Sequence, residues 1–256
     1  MIAPAKINLA LAVGPARADG KHELTTVYQA LELADEIEVE RAGETTVTGF
    51  DDTIVRSALA LLGGGWRVRI QKRIPVAAGL GGGSSDAAAA LRHANQLLDE
   101  PLTDAELHAL AARVGADVPF FFRSGPHLGT VDGTVLEPVE LPTDYAVLLL
   151  LPAGAQKRST ADVYAAFDQR GGEAGYAERA AALRAALASR DLAALPPNDL
   201  ASSPLAERLR GEGAFRADVS GAGPTVYALF ETADDAERAQ AAVQGLGETW
   251  VTRPAW

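Results

Sequence analysis

The stretch "VAAGLGGGSSDAAAALRHANQLL", residues 76–98, sets Gly79, Gly81, Gly82 and Gly83 and the pair Ser84 and Ser85 directly ahead of an alanine-rich run. Glycine gives up more conformational freedom on folding than any other residue, so a cluster of it needs a reason. Upstream, Trp66 to Lys72 alternates as a half-buried strand does, with Trp66, Val68 and Ile70 on one side and Arg67, Arg69 and Gln71 on the other. Downstream, Asp86 to Leu98 reads as helix: alanine fills it, Leu91, Leu97 and Leu98 supply an apolar edge, and neither glycine nor proline interrupts before Pro101. The unit is strand, glycine loop, helix.

A helix N-terminus exposes unpaired backbone N–H groups and the positive end of the macrodipole, and glycines just before it let a ligand approach the backbone closely. That is an anion cradle, and phosphate is its usual occupant. Ser84 and Ser85 add hydroxyls with three possible uses: capping the helix, binding phosphate oxygen or facing a metal ion. A flexible turn with a serine cap is the plainer alternative. Two familiar phosphate motifs fail on spacing. Gly83 is followed by Ser84 rather than by the lysine of a P-loop, and no ribose-binding acid ends a second strand as a dinucleotide fold requires.

The chain has 256 residues, enough for a substantial core, and two compact units are expected. A formal charge of −11 argues against nonspecific binding to nucleic acid or an anionic membrane, while leaving room for a local basic pocket around a small phosphorylated molecule. The absence of cysteine removes disulfides, thiol nucleophiles and thiolate metal sites. His22, His93, His108 and His127 are scattered and form no ligand pair. The longest apolar run, Ala146 to Pro152, is too short to span a bilayer and no leader-like stretch precedes the first strand, so a cytosolic protein is expected.

Along the chain, strands are predicted near 5–13, 24–33, 36–41 and 66–72, with helices near 53–62, 84–98 and 103–113. A loop and hairpin then lead to Leu141-Pro142-Thr143-Asp144, where a boundary is expected. The second half restarts with a strand at 145–151 and helices near 160–170, 175–189 and 203–211. A strand at 225–230, a helix at 232–244 and a strand near 249–252 complete it. Strands and helices without strict alternation predict α+β layers in each half, giving domains 1–143 and 144–256.

In "PAKINLALAV" a period of two puts Lys6 and Asn8 on one face and Ile7, Leu9, Leu11 and Val13 on the other. An edge lysine with its head in water is the alternative use of Lys6. Asp117, just before Val118-Pro119, suits either a helix cap or a general base. Asp19-Gly20 turns the chain ahead of Lys21 and His22. Gly221 and Gly223 in "VSGAGPTVYALF" either shape a turn or admit a ligand to the backbone.

Together, "PAKINL", "RADGKHEL", "IPVAAGLGGGSSDAAAAL", "GADVPFF" and "SGAGPTVY", in this order and spacing, resemble the GHMP kinase superfamily across nearly the whole chain. The second and fourth of these segments resemble most closely the members that act on a cytidine diphosphate-linked methylerythritol. The resemblance implies a two-domain α+β fold, with a ribosomal S5 domain 2-like N-terminal domain that binds ATP and a ferredoxin-like C-terminal domain forming a substrate cleft. It implies transfer of the γ-phosphoryl of ATP, with Mg²⁺, to the 2-hydroxyl of that small-molecule substrate on the non-mevalonate route to isoprenoid precursors, with no nucleic-acid or membrane partner. By position it assigns Lys6 and Asp117 to catalysis and Pro75, Val76, Ala77, Ala78, Gly79, Leu80, Gly81, Gly82, Gly83, Ser84 and Ser85 to ATP. Asn8, Lys21, His22, Thr160 and Tyr164 fall to the substrate, with Gly221 and Gly223 in the C-terminal glycine loop. The sequence leaves the metal ligands unassigned and does not choose between monomer and homodimer.

The chain departs from the family pattern in two places. Lys21 stands where a tyrosine commonly stacks on the cytosine, and a lysine turned toward the substrate diphosphate is the expected substitute. Ala222 replaces a frequent serine or threonine. Two further readings stay open: a GHMP kinase for another alcohol such as homoserine or a sugar, and a non-catalytic nucleotide-binding relative.

Overall fold

The computed structural model describes residues 1–155 and 159–255. Its elements in chain order are β1 (Ile2–Ala16), β2 (His22–Arg41), β3 (Thr46–Thr48), α1 (Thr53–Leu62), β4 (Trp66–Gln71), α2 (Gly82–Gln96), α3 (Asp104–Val114), a 3₁₀ turn (Val118–Phe122), β5 (His127–Val131), β6 (Val135–Pro138), β7 (Ala146–Pro152), α4 (Thr160–Gln169), α5 (Tyr176–Ser189), α6 (Pro204–Gly211), β8 (Arg216–Val219), β9 (Val226–Phe230), α7 (Ala233–Ala242) and β10 (Gly247–Thr252). By contacts the chain divides into two units. One comprises Met1–Lys6, Glu32–Ala77 and Gly81–Ser124, the other Ile7–Leu31, Ala78–Leu80 and Gly125–Trp256. These units interleave along the chain, whereas a division at 143/144 is one of chain order.

In the first unit β4 pairs antiparallel with the end of β2, Glu36 opposite Gln71 and Arg41 opposite Trp66, and parallel with β3. Trp66, Val68 and Ile70 are buried and Arg67, Arg69 and Gln71 exposed, the alternation expected of a sheet with one face on a core. Helix α2 buries Ala87 to Leu91 and Ala94, and α1 buries Val55, Ala58 and Leu59. Helix α3 starts on a capping box, Thr103 with Glu106, and ends at Gly115.

The interruption expected between residues 33 and 36 is absent, because β2 runs unbroken for 20 residues. Asp35, which falls in that expected gap, is fully buried and takes Lys72 Nζ at 2.6 Å and the backbone N–H groups of Arg73 and Ile74 at 2.5 and 2.8 Å. A carboxylate so supplied has no reason to turn the chain toward water. The short β3 and β8 are also additional to the expected strands.

In the second unit the start of β2 pairs with β5, which forms the expected hairpin with β6. A separate antiparallel sheet has the order β10-β7-β9-β8. With helices between β7 and β8 and between β9 and β10, this is the ferredoxin-like βαββαβ arrangement. Leu148, Leu150, Val226, Ala228 and Phe230 of its inner strands pack with Ala206 and Leu209 of α6 and Ala236 and Ala239 of α7. Two α+β units, as read from the sequence, therefore account for the described chain. No helix among the described residues is long and apolar enough to cross a membrane.

Candidate active site

In the first unit Lys6 is 4% exposed, so it is not the edge lysine with a solvated head. Its Nζ lies 3.4 Å from Asp117 Oδ2. Asp117 occupies the residue before the 3₁₀ turn but makes no side-chain capping bond. Its carboxylate is thus spent on the lysine rather than on the helix end. The two residues are far apart in sequence, and no local pattern announces the pair.

The glycine loop meets this pair at Gly81, which has φ +70° and stands at the N-cap of α2. A Cβ there would lie 2.8 Å from Lys6 Cγ and 3.0 Å from Phe121 Cζ. Only glycine satisfies both the left-handed backbone and the approach of the lysine stem. The helix begins at Gly82, ahead of the expected start, so Ser84 and Ser85 lie within its first turn and are not caps. With no side chain capping it, the α2 N-terminus leaves backbone donors for an anion. Ser85 Oγ is buried without a hydrogen-bond partner, an orphaned ligand atom in that same turn.

Beneath the loop, Lys72 Nζ bridges Asp35 at 2.6 Å and Asp86 at 2.7 Å, both carboxylates fully buried. Burial pushes the Asp86 carboxyl up to about 7 against the opposing pull of Lys72. Burial works against the Lys72 charge too, yet the bonds to Asp35 and Asp86 outweigh it and raise its pKa. A Cβ on Gly82 would come within 3.0 Å of Lys72 Nζ, so this cation lies directly against the first residue of α2.

In the second unit Ala78-Gly79-Leu80 is tied to the C-terminal glycine turn. Ser220 Oγ donates to Gly79 O at 3.0 Å and accepts from Asn8 N at 3.3 Å, and Thr225 N donates to Ala78 O at 3.2 Å. A Cβ on Gly79, at φ +82°, would lie 2.4 Å from Ser220 O. Gly221 and Gly223 both take positive φ, and Asn198 Nδ2 donates to Val219 O and Gly221 O at 2.8 and 2.7 Å. The turn is therefore a brace for Ala78 to Leu80. Asn8 is 4% exposed, its Nδ2 donating to Thr26 Oγ1 at 2.8 Å.

His22, at the start of β2, is 9% exposed, and its Nε2 lies 2.7 Å from Asp168 Oδ1. Tyr164 tilts over the imidazole at a centroid distance of 4.9 Å and Phe167 meets it edge-on at 5.9 Å. Tyr164, Phe167 and Asp168 are three and four residues apart on α4 and so share one face. Thr160, exposed, begins the same helix behind the Ser159 cap. Lys21 Nζ lies 2.5 Å from Asp132 Oδ2. Burial would raise the Asp132 carboxyl, but the bonds from Lys21 and Thr134 outweigh it and hold it at about 2. Sequence reasoning missed Lys72, Asp35, Asp86, Asp132, Asp168, Asn198 and Ser220. Their partners are remote in sequence, Ser220 bonding Gly79 and Asn8 from 141 and 212 residues away, or the residue is one of many surface-type acids.

Among the described residues no group of three or more His, Asp or Glu is placed to hold a metal ion. Ser85 Oγ fits a hard divalent cation that takes most of its ligands from phosphate and water.

A lysine–aspartate pair, the lysine buried and the aspartate partly open, beside an uncapped glycine-led helix is an arrangement suited to an anionic ligand. The family models agree: "GHMP kinases N terminal domain" matches residues 52–125 and "GHMP kinases C terminal" matches 177–249, which makes this an ATP-dependent small-molecule kinase of the GHMP class. The chain is 37% identical to the 4-diphosphocytidyl-2-C-methyl-D-erythritol kinase of Desulfitobacterium hafniense (strain Y51), across 98% of this chain and 94% of that protein. To the enzyme of the same name from Salinispora tropica it is 39% identical, across 95% and 87%. A crystal structure of 4-(cytidine 5'-diphospho)-2C-methyl-D-erythritol kinase matches with a TM-score of 0.80 at 32% identity, covering 100% of this chain and 99% of that one. The chain belongs to the 4-diphosphocytidyl-2-C-methyl-D-erythritol kinase family.

Proposed function

We propose that this protein phosphorylates the 2-hydroxyl of 4-diphosphocytidyl-2-C-methyl-D-erythritol with ATP, releasing ADP and the 2-phosphate, as a cytoplasmic enzyme of the non-mevalonate route to isoprenoid precursors. The observation that carries the chemistry is the 3.4 Å approach of Lys6 to Asp117, with Gly81 holding the lysine stem to the start of α2. Phosphoryl transfer passes through a loose transition state, so the protein mainly positions groups and offsets charge. Asp117 accepts the proton of the substrate hydroxyl. Lys6, beside that carboxylate, offsets charge on the transferring group. Backbone N–H groups of the loop and of the first turn of α2 bind the phosphates of ATP. Mg²⁺, held by the phosphates and Ser85, would supply charge neutralisation on the nucleotide.

His22, with Tyr164 beside it, takes the cytosine; Asn8 and Thr160 serve the remainder of the substrate. Lys21 reaches the diphosphate by leaving Asp132. The two family models fall on either side of 143/144, which supports domains 1–143 and 144–256 as the sequential modules. The reading is tested by following ADP release together with formation of the 2-phosphate, since a kinase for another alcohol would give ADP only with that alcohol. Lys21 is the one residue that favours this second reading.

A further inference from the structure

Asp168 makes the ring hydrogen bond of His22, and nothing in the phosphoryl-transfer chemistry requires it. A carboxylate only accepts hydrogen bonds, so the proton of a neutral imidazole at this contact sits on Nε2 and Nδ1 keeps its lone pair. The ring is not at liberty to turn over. Its side chain is 8% exposed, Tyr164 covers it at 4.9 Å and the edge of Phe167 stands at 5.9 Å. Both rings come from the helix that carries Asp168, so one element fixes both the orientation and the tautomer of the histidine.

We propose that Asp168 is a positioning residue that sets base specificity: by holding His22 as the Nε2–H tautomer, it makes Nδ1 an acceptor that selects a pyrimidine bearing an exocyclic amine. Cytosine presents a donor at that position and uracil a carbonyl acceptor, so the same nitrogen that pairs with one faces the other unpaired and repelled. The proposal rests on the assignment of His22 to the base made above. Asp168 acts through the histidine and touches no reacting atom, and its side chain, 51% exposed, can be altered without opening the core.

The test has two readouts. The first is the ratio of kcat/KM for the cytidyl substrate to that for its uridyl counterpart, in the parent, Asp168→Ala and Asp168→Glu. The expected result is a ratio that falls by about tenfold or more in Asp168→Ala and recovers in Asp168→Glu, which keeps a carboxylate. A merely structural role would lower both substrates alike and leave the ratio unmoved. The second is the ¹⁵N–¹H correlation spectrum of the His22 ring at about pH 8, where an ordinary imidazole is neutral. The parent should give the Nε2–H pattern and Asp168→Ala a mixture of tautomers. An unchanged ratio in Asp168→Ala, or a His22 that stays wholly Nε2–H without the carboxylate, overturns this proposal alone. A parent that phosphorylates neither nucleotide overturns the assigned function and this proposal with it.

Discussion

Lys6 Nζ stands 3.4 Å from Asp117 Oδ2, the lysine side chain 5% exposed and the aspartate 34%. The buried cation orients the carboxylate, which stays open enough to be reached by a substrate hydroxyl. Lys6→Ala and Asp117→Asn should each lower kcat by about 10³-fold or more while ATP affinity stays within a few-fold of the parent. Steady-state kinetics paired with calorimetric titration of ATP checks both halves of this expectation. A variant turning over near the parental rate would remove the pair from catalysis.

Ser220 joins Gly79 O and Asn8 N through one hydroxyl. Ser220→Ala leaves that carbonyl and that N–H without their partner, at a cost of about 1–3 kcal/mol in stability. Because Gly79 belongs to the glycine loop, the KM for ATP should rise several-fold with a smaller change in kcat. An unchanged KM for ATP would mean the brace has no bearing on nucleotide binding.

Asp86 carries a pH signature. Its carboxyl is pushed up to about 7 in the folded protein by burial, against about 3.9 for an unfolded aspartate. Between those values the folded state binds more protons than the unfolded state, so this group's contribution to stability is greatest at low pH and is lost as pH rises toward 7. Asp86→Asn should therefore lose less melting temperature than the parent between about pH 5 and about pH 7, read by differential scanning calorimetry. Parallel pH profiles for the two proteins would contradict the assignment. Lys72→Met in the same network leaves two buried carboxylates without their cation and should cost about 3–5 kcal/mol.

Lys21 now has a defined partner in Asp132, and its side chain is 51% exposed. With half of its side chain open to solvent, Lys21 is able to exchange Asp132 for a substrate diphosphate. Lys21→Tyr should raise the KM for the cytidyl substrate. An unchanged KM would place Lys21 outside substrate binding.

Much of this was legible in the sequence because the signals are local. The period of two in β4, the glycine stop after α3 and the strand–glycine–helix order around residue 80 each follow from neighbouring residues. The start of α2 at Gly82 was not, since glycine propensity argues against a helix that tertiary contact with Lys6 and Lys72 requires. The unbroken run of β2 through Asp35 was not legible for a similar reason: a charge inside a strand is accommodated only because Lys72, 37 residues on, supplies its counter-ion. Asp168 carried no signal at all, being an ordinary acid on an exposed helix position whose partner lies 146 residues away.

The most direct measurement is ADP release by the purified protein with ATP and Mg²⁺, comparing 4-diphosphocytidyl-2-C-methyl-D-erythritol with homoserine, galactose, mevalonate and no acceptor. The expected result is turnover with the cytidyl compound alone and formation of its 2-phosphate. Turnover with a different alcohol, or ATP binding without turnover on any acceptor, would contradict the proposed reaction.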